Sequence, residues 1–172
     1  MSLTMKAVRI HQYGGRDVLR YEQAPMPVMN PDDVLVKVHA AAVNPVDWKV
    51  REGHLKGVLP VTLPLILGWD VAGEIVAVGE KVIGWQVGDA IYSRPDIGRD
   101  GSYAEYIAIN ANEIAAKPKS LSWQHAAAVP LAALTAWQSL YEIANIKAGE
   151  RVLIHAGAGG VGMFPIQLAK WR

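Results

Sequence analysis

The sequence holds no cysteine among its 172 residues. That absence removes disulfides, thiolate nucleophiles and sulfur-ligated zinc from the available chemistry. It is compatible with a reducing compartment, and a cytoplasmic location is the expectation. An excess of charge of one sign is also missing: 17 Lys and Arg stand against 16 Asp and Glu, for a formal net charge of +1. The basic residues are scattered, whereas a nucleic-acid partner requires a basic face, so none is expected. Long apolar runs are absent too. The longest, Ala126 to Trp137, falls short of the roughly 20 residues that span a membrane and is interrupted by Pro130. The opening MSLTMKAVRI has no basic segment leading into an apolar one, so it is not read as a secretory signal. Residues 1–4 are read as an added leader before a natural start at Met5.

What is present is a chain able to bury a core, with 51% hydrophobic and 19% charged residues. From residue 5 to about 120 the pattern is one of short β segments separated by turn residues. KAVRIHQ (6–12) and VLVKVHAAA (34–42) alternate with period two, placing Val34, Val36, Val38 and Ala40 on one face and Lys37 and His39 on the other. DVAGEIVAVG (70–79), DAIYS (89–93) and SYAEYIAI (102–109) continue the habit, with turns at Gly79-Glu80, Gly88-Asp89 and Asp100-Gly101. Strands at this spacing suggest a barrel or a compact irregular sheet.

The pattern changes over 121–172. Ser122 can cap a short helix running to Ala128. Pro130 disfavours helical torsions in the residue before it and can open a second helix. Along that helix Leu134, Trp137, Leu140 and Tyr141 recur as an expected packing stripe. RVLIHA (151–156) reads as a buried strand, and VGMFPIQLAK reads as a helix with Pro165 near its first turn.

Between them, Gly157-Ala158-Gly159-Gly160-Val161-Gly162 satisfies G-x-G-x-x-G in its meaningful context, after a predicted strand and opening a predicted helix. The first glycine permits the tight turn, the second admits a pyrophosphate, and the third lets helix and strand approach. Unpaired first-turn amides and about half a positive charge would face the phosphates. A glycine-rich turn with no ligand is the competing reading. The acidic or basic residue that separates NAD from NADP lies about 20 residues beyond the motif, past Arg172.

Taken together, NPVDWKVREG (44–53), LGWDVAGEIVAVG (67–79), VGDAIY (87–92), GSYAEY (101–106), LTAWQSL (134–140) and AGAGGVG (156–162) resemble the medium-chain dehydrogenase/reductase superfamily. More narrowly, they are similar to its zinc-independent quinone oxidoreductase, zeta-crystallin-like branch, and the likeness covers nearly the whole chain. The resemblance implies a mainly β GroES-like catalytic domain at 5–120, followed at 121–172 by connecting helices and the first β–α unit of a Rossmann cofactor domain. Members are roughly twice this length, which implies the front half of a reductase. Zinc-dependent relatives place a cysteine in the region of Asn44–Asp47 and Gly-His-Glu where this chain has Gly68-Trp69-Asp70. No metal site is expected here.

The resemblance places Asn44 and Asp47 beside the nicotinamide and the substrate, with Asn44 bonding a carboxamide or carbonyl and Asp47 orienting neighbours or relaying a proton. The alternative makes both turn formers, with Asp47 as a helix cap. Thr135 matches a position whose hydroxyl bonds the cofactor, or else bonds back to its own helical turn. Gly157, Gly159, Gly160, Val161 and Gly162 would hold the diphosphate. Arg51 can face the cleft or be solvated, and His54 follows the proposed site segment. The expected activity is hydride transfer from NADPH, with NADH not excluded, to a small-molecule quinone or conjugated carbonyl. An enoyl-thioester or alkenal reductase, or a catalytically silent folded fragment, are the rivals. The parent protein is expected to be a homodimer.

Overall fold

β1 (Thr4–Ile10) forms a hairpin with β2 (Leu19–Pro25), pairing Thr4 with Pro25 and Ile10 with Leu19. In this computed structural model, which describes residues 4–172, the hairpin joins the two-residue β4 (Leu65–Ile66) in an antiparallel sheet of order β2-β1-β4. Met1–Leu3 lie outside the described residues, so of the leader reading only Thr4 is seen, as the first residue of β1. The second sheet runs β7-β3-β5-β6-β8 from β3 (Asp33–Ala41), β5 (Val71–Val78), β6 (Ala90–Ser93), β7 (Tyr106–Asn110) and β8 (Ile114–Ala116).

The period-two faces explain how that sheet closes a core. Val36 stands opposite Ile75 on one side and Ile107 on the other, and Val34 stands opposite Val78 and Ile109. With Val71 and Ile91 most of these β-branched residues form one buried cluster, suited to a pleated surface. Two register shifts in the β3–β5 ladder, between Leu35 and Val36 and between Val38 and Ala40, bend it, as extra residues in one strand do. A second core gathers Ile10, Val50, Leu65, Leu67 and Trp69. Between β6 and β7 the segment at Tyr103–Glu105 bonds Val8 and Lys6 of β1 and Val38 of β3, and Ala104 forms a bridge with Ala7.

The chain divides into two compact units, the first ending at Ala128 and the second running from Val129 to Arg172. The first closes with α2 (Trp123–Ala127), whose Ser122 cap accepts from His125 N–H at 3.2 Å. Small residues permit α2 to lie close: Ala126 and Ala127 pack on Ala72 of β5.

In the second unit Pro130 opens α3 (Pro130–Trp137), which continues as a π-helical stretch, Gln138–Ile143. Tyr141 donates to the Leu168 carbonyl of α4 (Met163–Trp171) at 2.8 Å. Two expectations are corrected here. Leu134 and Trp137, both on α3, are 46% and 43% exposed, while Leu140, on the π-helical stretch, is buried. Residues 151–156 form no strand. A strand needs a partner for its amides and carbonyls, and no strand pairs with this segment among the described residues. No helix among the described residues is long and apolar enough to cross a membrane.

Candidate active site

Beyond β3 the chain turns at Ala42–Asn44 and enters α1 (Pro45–Arg51), which proline opens at N1, where a missing amide costs nothing. Asn44, in extended torsions, is the N-cap. Asp47 is therefore the third helical residue rather than the cap, and its Oδ2 reaches back to accept Asn44 N–H at 2.6 Å. This is the return half of a capping box, satisfying an amide the helix itself cannot use.

The Asn44 side chain points elsewhere. Its Nδ2 donates to Asp70 Oδ2 at 2.9 Å, where the chain enters β5. Asp70 is buried, and Ser102 Oγ lies between the carbonyls of Gly68 and Asp70 at 3.1 and 2.9 Å, so its single hydrogen is shared. Tyr103 donates its hydroxyl to Asp47 Oδ2 at 2.8 Å. Asn44, Asp47, Asp70, Ser102 and Tyr103 thus make one connected polar network across α1, β5 and the segment leading to β7.

Its electrostatics are set by exclusion of water. Burial pushes the Asp47 carboxyl above the ordinary carboxylate value, against the opposing bonds from Asn44 and Tyr103. Its Oδ1 is buried with no hydrogen-bond partner. The Tyr103 phenol is raised well above its usual value by burial and by the nearby Asp47 and Asp70 carboxylates, so it stays a hydroxyl donor throughout the working range. The arrangement can present an amide and retain a proton on a carboxyl.

Trp69 occupies the place between Gly68 and Asp70 as a wholly buried core residue, donating Nε1–H to the Arg99 carbonyl at 3.1 Å. The Arg51 side chain is largely buried. Its Nε donates to the Gly14 carbonyl at 3.2 Å and its fork pairs with Glu52, so it braces α1 to the β1–β2 connection. His54 sits edge-on to Trp48 with ring centroids 5.7 Å apart, near Glu52.

The remaining site candidates belong to the second unit. Thr135 donates Oγ1–H to the Leu131 carbonyl at 2.8 Å, the back-bond within its own turn. The glycine segment folds as successive turns: Gly159 N–H bonds Ala156 O, Met163 N–H bonds Gly159 O, and Phe164 N–H bonds Val161 O. The two amides at the start of α4 are therefore paired within the chain, contrary to the expectation of free donors, because the turns wind directly into the helix. The segment still suits an approaching diphosphate in one respect. A Cβ at Gly160 would meet nothing within 4 Å, which marks an open backbone face, whereas one at Gly162 would lie 2.1 Å from the Ala156 carbonyl.

The sequence reading missed Tyr103 and the partnership of Asp70. Both stood in noted motifs, GSYAEY and LGWD, but their contacts join residues 56 and 26 positions apart.

Comparison with known proteins places this geometry. The model of the alcohol dehydrogenase GroES-like domain matches residues 30–119. A chloroplastic quinone-oxidoreductase homolog of Spinacia oleracea is 41% identical over 96% of this chain and 52% of its own length. A chloroplastic NADPH-dependent alkenal/one oxidoreductase of Arabidopsis thaliana is 42% identical over 96% of this chain and 44% of its own. The solved quinone oxidoreductase from Coxiella burnetii superposes with a TM-score of 0.88 at 40% identity, covering 98% of this chain and 54% of that one. The chain thus spans about half the length of the relatives it matches. By its sheet order, its core and the match over 30–119, it belongs to the alcohol dehydrogenase GroES-like domain family, among quinone oxidoreductase-like members of the medium-chain dehydrogenase/reductase superfamily.

Proposed function

We propose that the chain carries the catalytic domain, at residues 5–120, of an NADPH-dependent reductase that transfers hydride to a quinone or a conjugated carbonyl without zinc. Residues 121–172 would be its connecting helices and the first part of its cofactor domain. The observation that carries the reading is Asn44, held at two points at the mouth of α1: its main-chain N–H on Asp47 and its side-chain amide on Asp70. A fixed amide can orient a carboxamide or a substrate carbonyl without later reorganisation. NADPH, when bound, supplies the hydride. Gly157, Gly159, Gly160, Val161 and Gly162 would hold its diphosphate, and Thr135 would accept a bond from it through the oxygen that its back-bond leaves available. Where zinc-dependent relatives are expected to have histidine, the buried indole of Trp69 offers no ligand. The names of the spinach and Arabidopsis relatives support quinone and alkenal substrates respectively, and the latter is the second reading. A cytoplasmic homodimer completes the proposal, although both plant relatives are described as chloroplastic.

The test is NADPH oxidation with 1,4-naphthoquinone, a short conjugated alkenal and an enoyl thioester in competition. It is run on the 172-residue chain and on a chimera continued with the remaining half of the spinach relative. Quinone turnover by the chimera alone supports the reading, and preference for the alkenal selects the second. Saturable NADPH binding with no turnover of any acceptor by either protein refutes both.

A further inference from the structure

Tyr103 is anchored to the core beside α1 by its main chain and its ring. Its N–H donates to the Leu67 carbonyl at 3.0 Å, its carbonyl accepts Val8 N–H at 2.8 Å, and its ring packs against two core clusters. From this anchored position its hydroxyl reaches Asp47 Oδ2, the same oxygen that accepts Asn44 N–H. Two donors on one oxygen fix the rotation of the carboxyl and leave Oδ1 buried without a partner.

We propose that Tyr103 is a positioning residue: its hydroxyl sets the Asp47 carboxyl, Asp47 sets the main chain of Asn44, and the Asn44 amide is thereby held on Asp70. This rests on the reading in which Asn44 meets the nicotinamide or the substrate carbonyl. When Asp47 is neutral its proton resides on Oδ1, because Oδ2 is already engaged twice. Burial favours that neutral form and the two hydrogen bonds favour the anion. The ionisable neighbours are few. Tyr103 faces Asp47 directly, Asp70 touches the same Asn44, and Arg51 further along α1 is engaged by Glu52 and Gly14.

The experiment uses the isotope-labelled 172-residue chain. Carboxyl carbons of Asp47 and Asp70 and the side-chain amide of Asn44 are followed by NMR through a pH titration, in wild type and in Tyr103→Phe. The Asn44 amide signals should move with the Asp47 midpoint. Tyr103→Phe should raise that midpoint by about one pH unit, the loss of a donor to the charged form worth about 1.4 kcal/mol, and should displace the Asn44 signals. A merely structural tyrosine would lower thermal stability while leaving Asn44 unmoved, and that result overturns the proposal. So do Asn44 signals that ignore Asp47 titration in the wild type, a measurement that requires no variant to fold. Coupling of Asn44 to Asp47 together with failure of the reductase assay discards the nicotinamide reading and retains Tyr103 as the residue that fixes Asn44.

Discussion

Replacing Arg99 with methionine should destabilise the first unit by leaving a buried carboxylate without its cation. Arg99 donates from both ends of its fork to Asp33, at 2.9 and 2.7 Å, and Asp33 Oδ2 also accepts Asn30 N–H at 2.8 Å. The Asp33 side chain is 1% exposed, while that of Arg99 is 31% exposed. Removing one partner of a fully buried pair costs about 3–5 kcal/mol, chiefly through the charge left behind. Water reaches Arg99 from one side, so we expect about 2–3 kcal/mol here. For a chain of this size that lowers Tm by about 5–10 °C. The pH dependence identifies the cause. Burial alone would raise the Asp33 carboxyl, but Arg99 and the Asn30 amide outweigh it and hold it below 3.8. Its stabilising contribution is therefore complete above the unfolded value and is lost as pH falls through the lower folded value. Without Arg99 the folded carboxyl rises from its lowered position while burial still opposes its charge, so the penalty is greatest near neutrality and shrinks on acidification. Urea unfolding of Arg99→Met, Asp33→Asn and the double variant at two pH values measures this. A cost below about 0.5 kcal/mol, or single effects that simply add, would refute a buried, coupled pair.

Asp47→Asn carries the opposite sign. Because burial raises the Asp47 carboxyl, its ionised form opposes folding as pH climbs from 3.8 through the folded value, so the amide variant should gain stability at pH 7 relative to wild type and lose that advantage in acid. Two glycine substitutions separate steric conflict from torsional strain. Gly101→Ala drives a Cβ to 2.2 Å from the Gly68 carbonyl and should cost upwards of about 2 kcal/mol, whereas Gly84→Ala, with φ +84 and open space, should cost about 1 kcal/mol. Hydrogen exchange should find the amides of residues 152–154 unprotected while those of Val36 and Ile75 exchange slowly. Thr135→Val should leave stability within about 0.5 kcal/mol and, in the chimera, weaken NADPH binding; unchanged affinity would remove Thr135 from the site.

The local grammar of the chain was legible. The alternation in residues 34–42 does build β3, an interior strand of the five-stranded sheet, Ser122 does cap α2, and Pro130 does open α3. Each of these rests on chemistry contained within a few residues. What could not be read is chemistry that arises only when distant segments meet. The Arg99–Asp33 fork spans 66 positions and the Tyr103–Asp47 bond 56, and no periodicity announces either. Residues 151–156 show the converse, a segment with strand composition whose structure depends on a neighbour to pair with. At the candidate site, Asn44 and Asp47 were found through motif resemblance, yet Asp47 took the third helical position because proline at 45 sets the helix start one residue after Asn44.

The bridge between the start of the chain and the segment before β7 has a consequence for synthesis. Lys6 and Glu105 exchange bonds across 99 positions, and Tyr103 closes on Val8 beside them. At about 5–20 residues per second, Lys6 leaves the ribosome roughly 5–20 s before Glu105 can meet it. The β1–β2 hairpin can form in that interval and Ile66 can join it, but the cluster around Met5 and Ala7, buried in the finished unit, is completed only when Tyr103 and Ala104 arrive. β1 thus waits for a segment 99 positions further along the chain before its cover is complete.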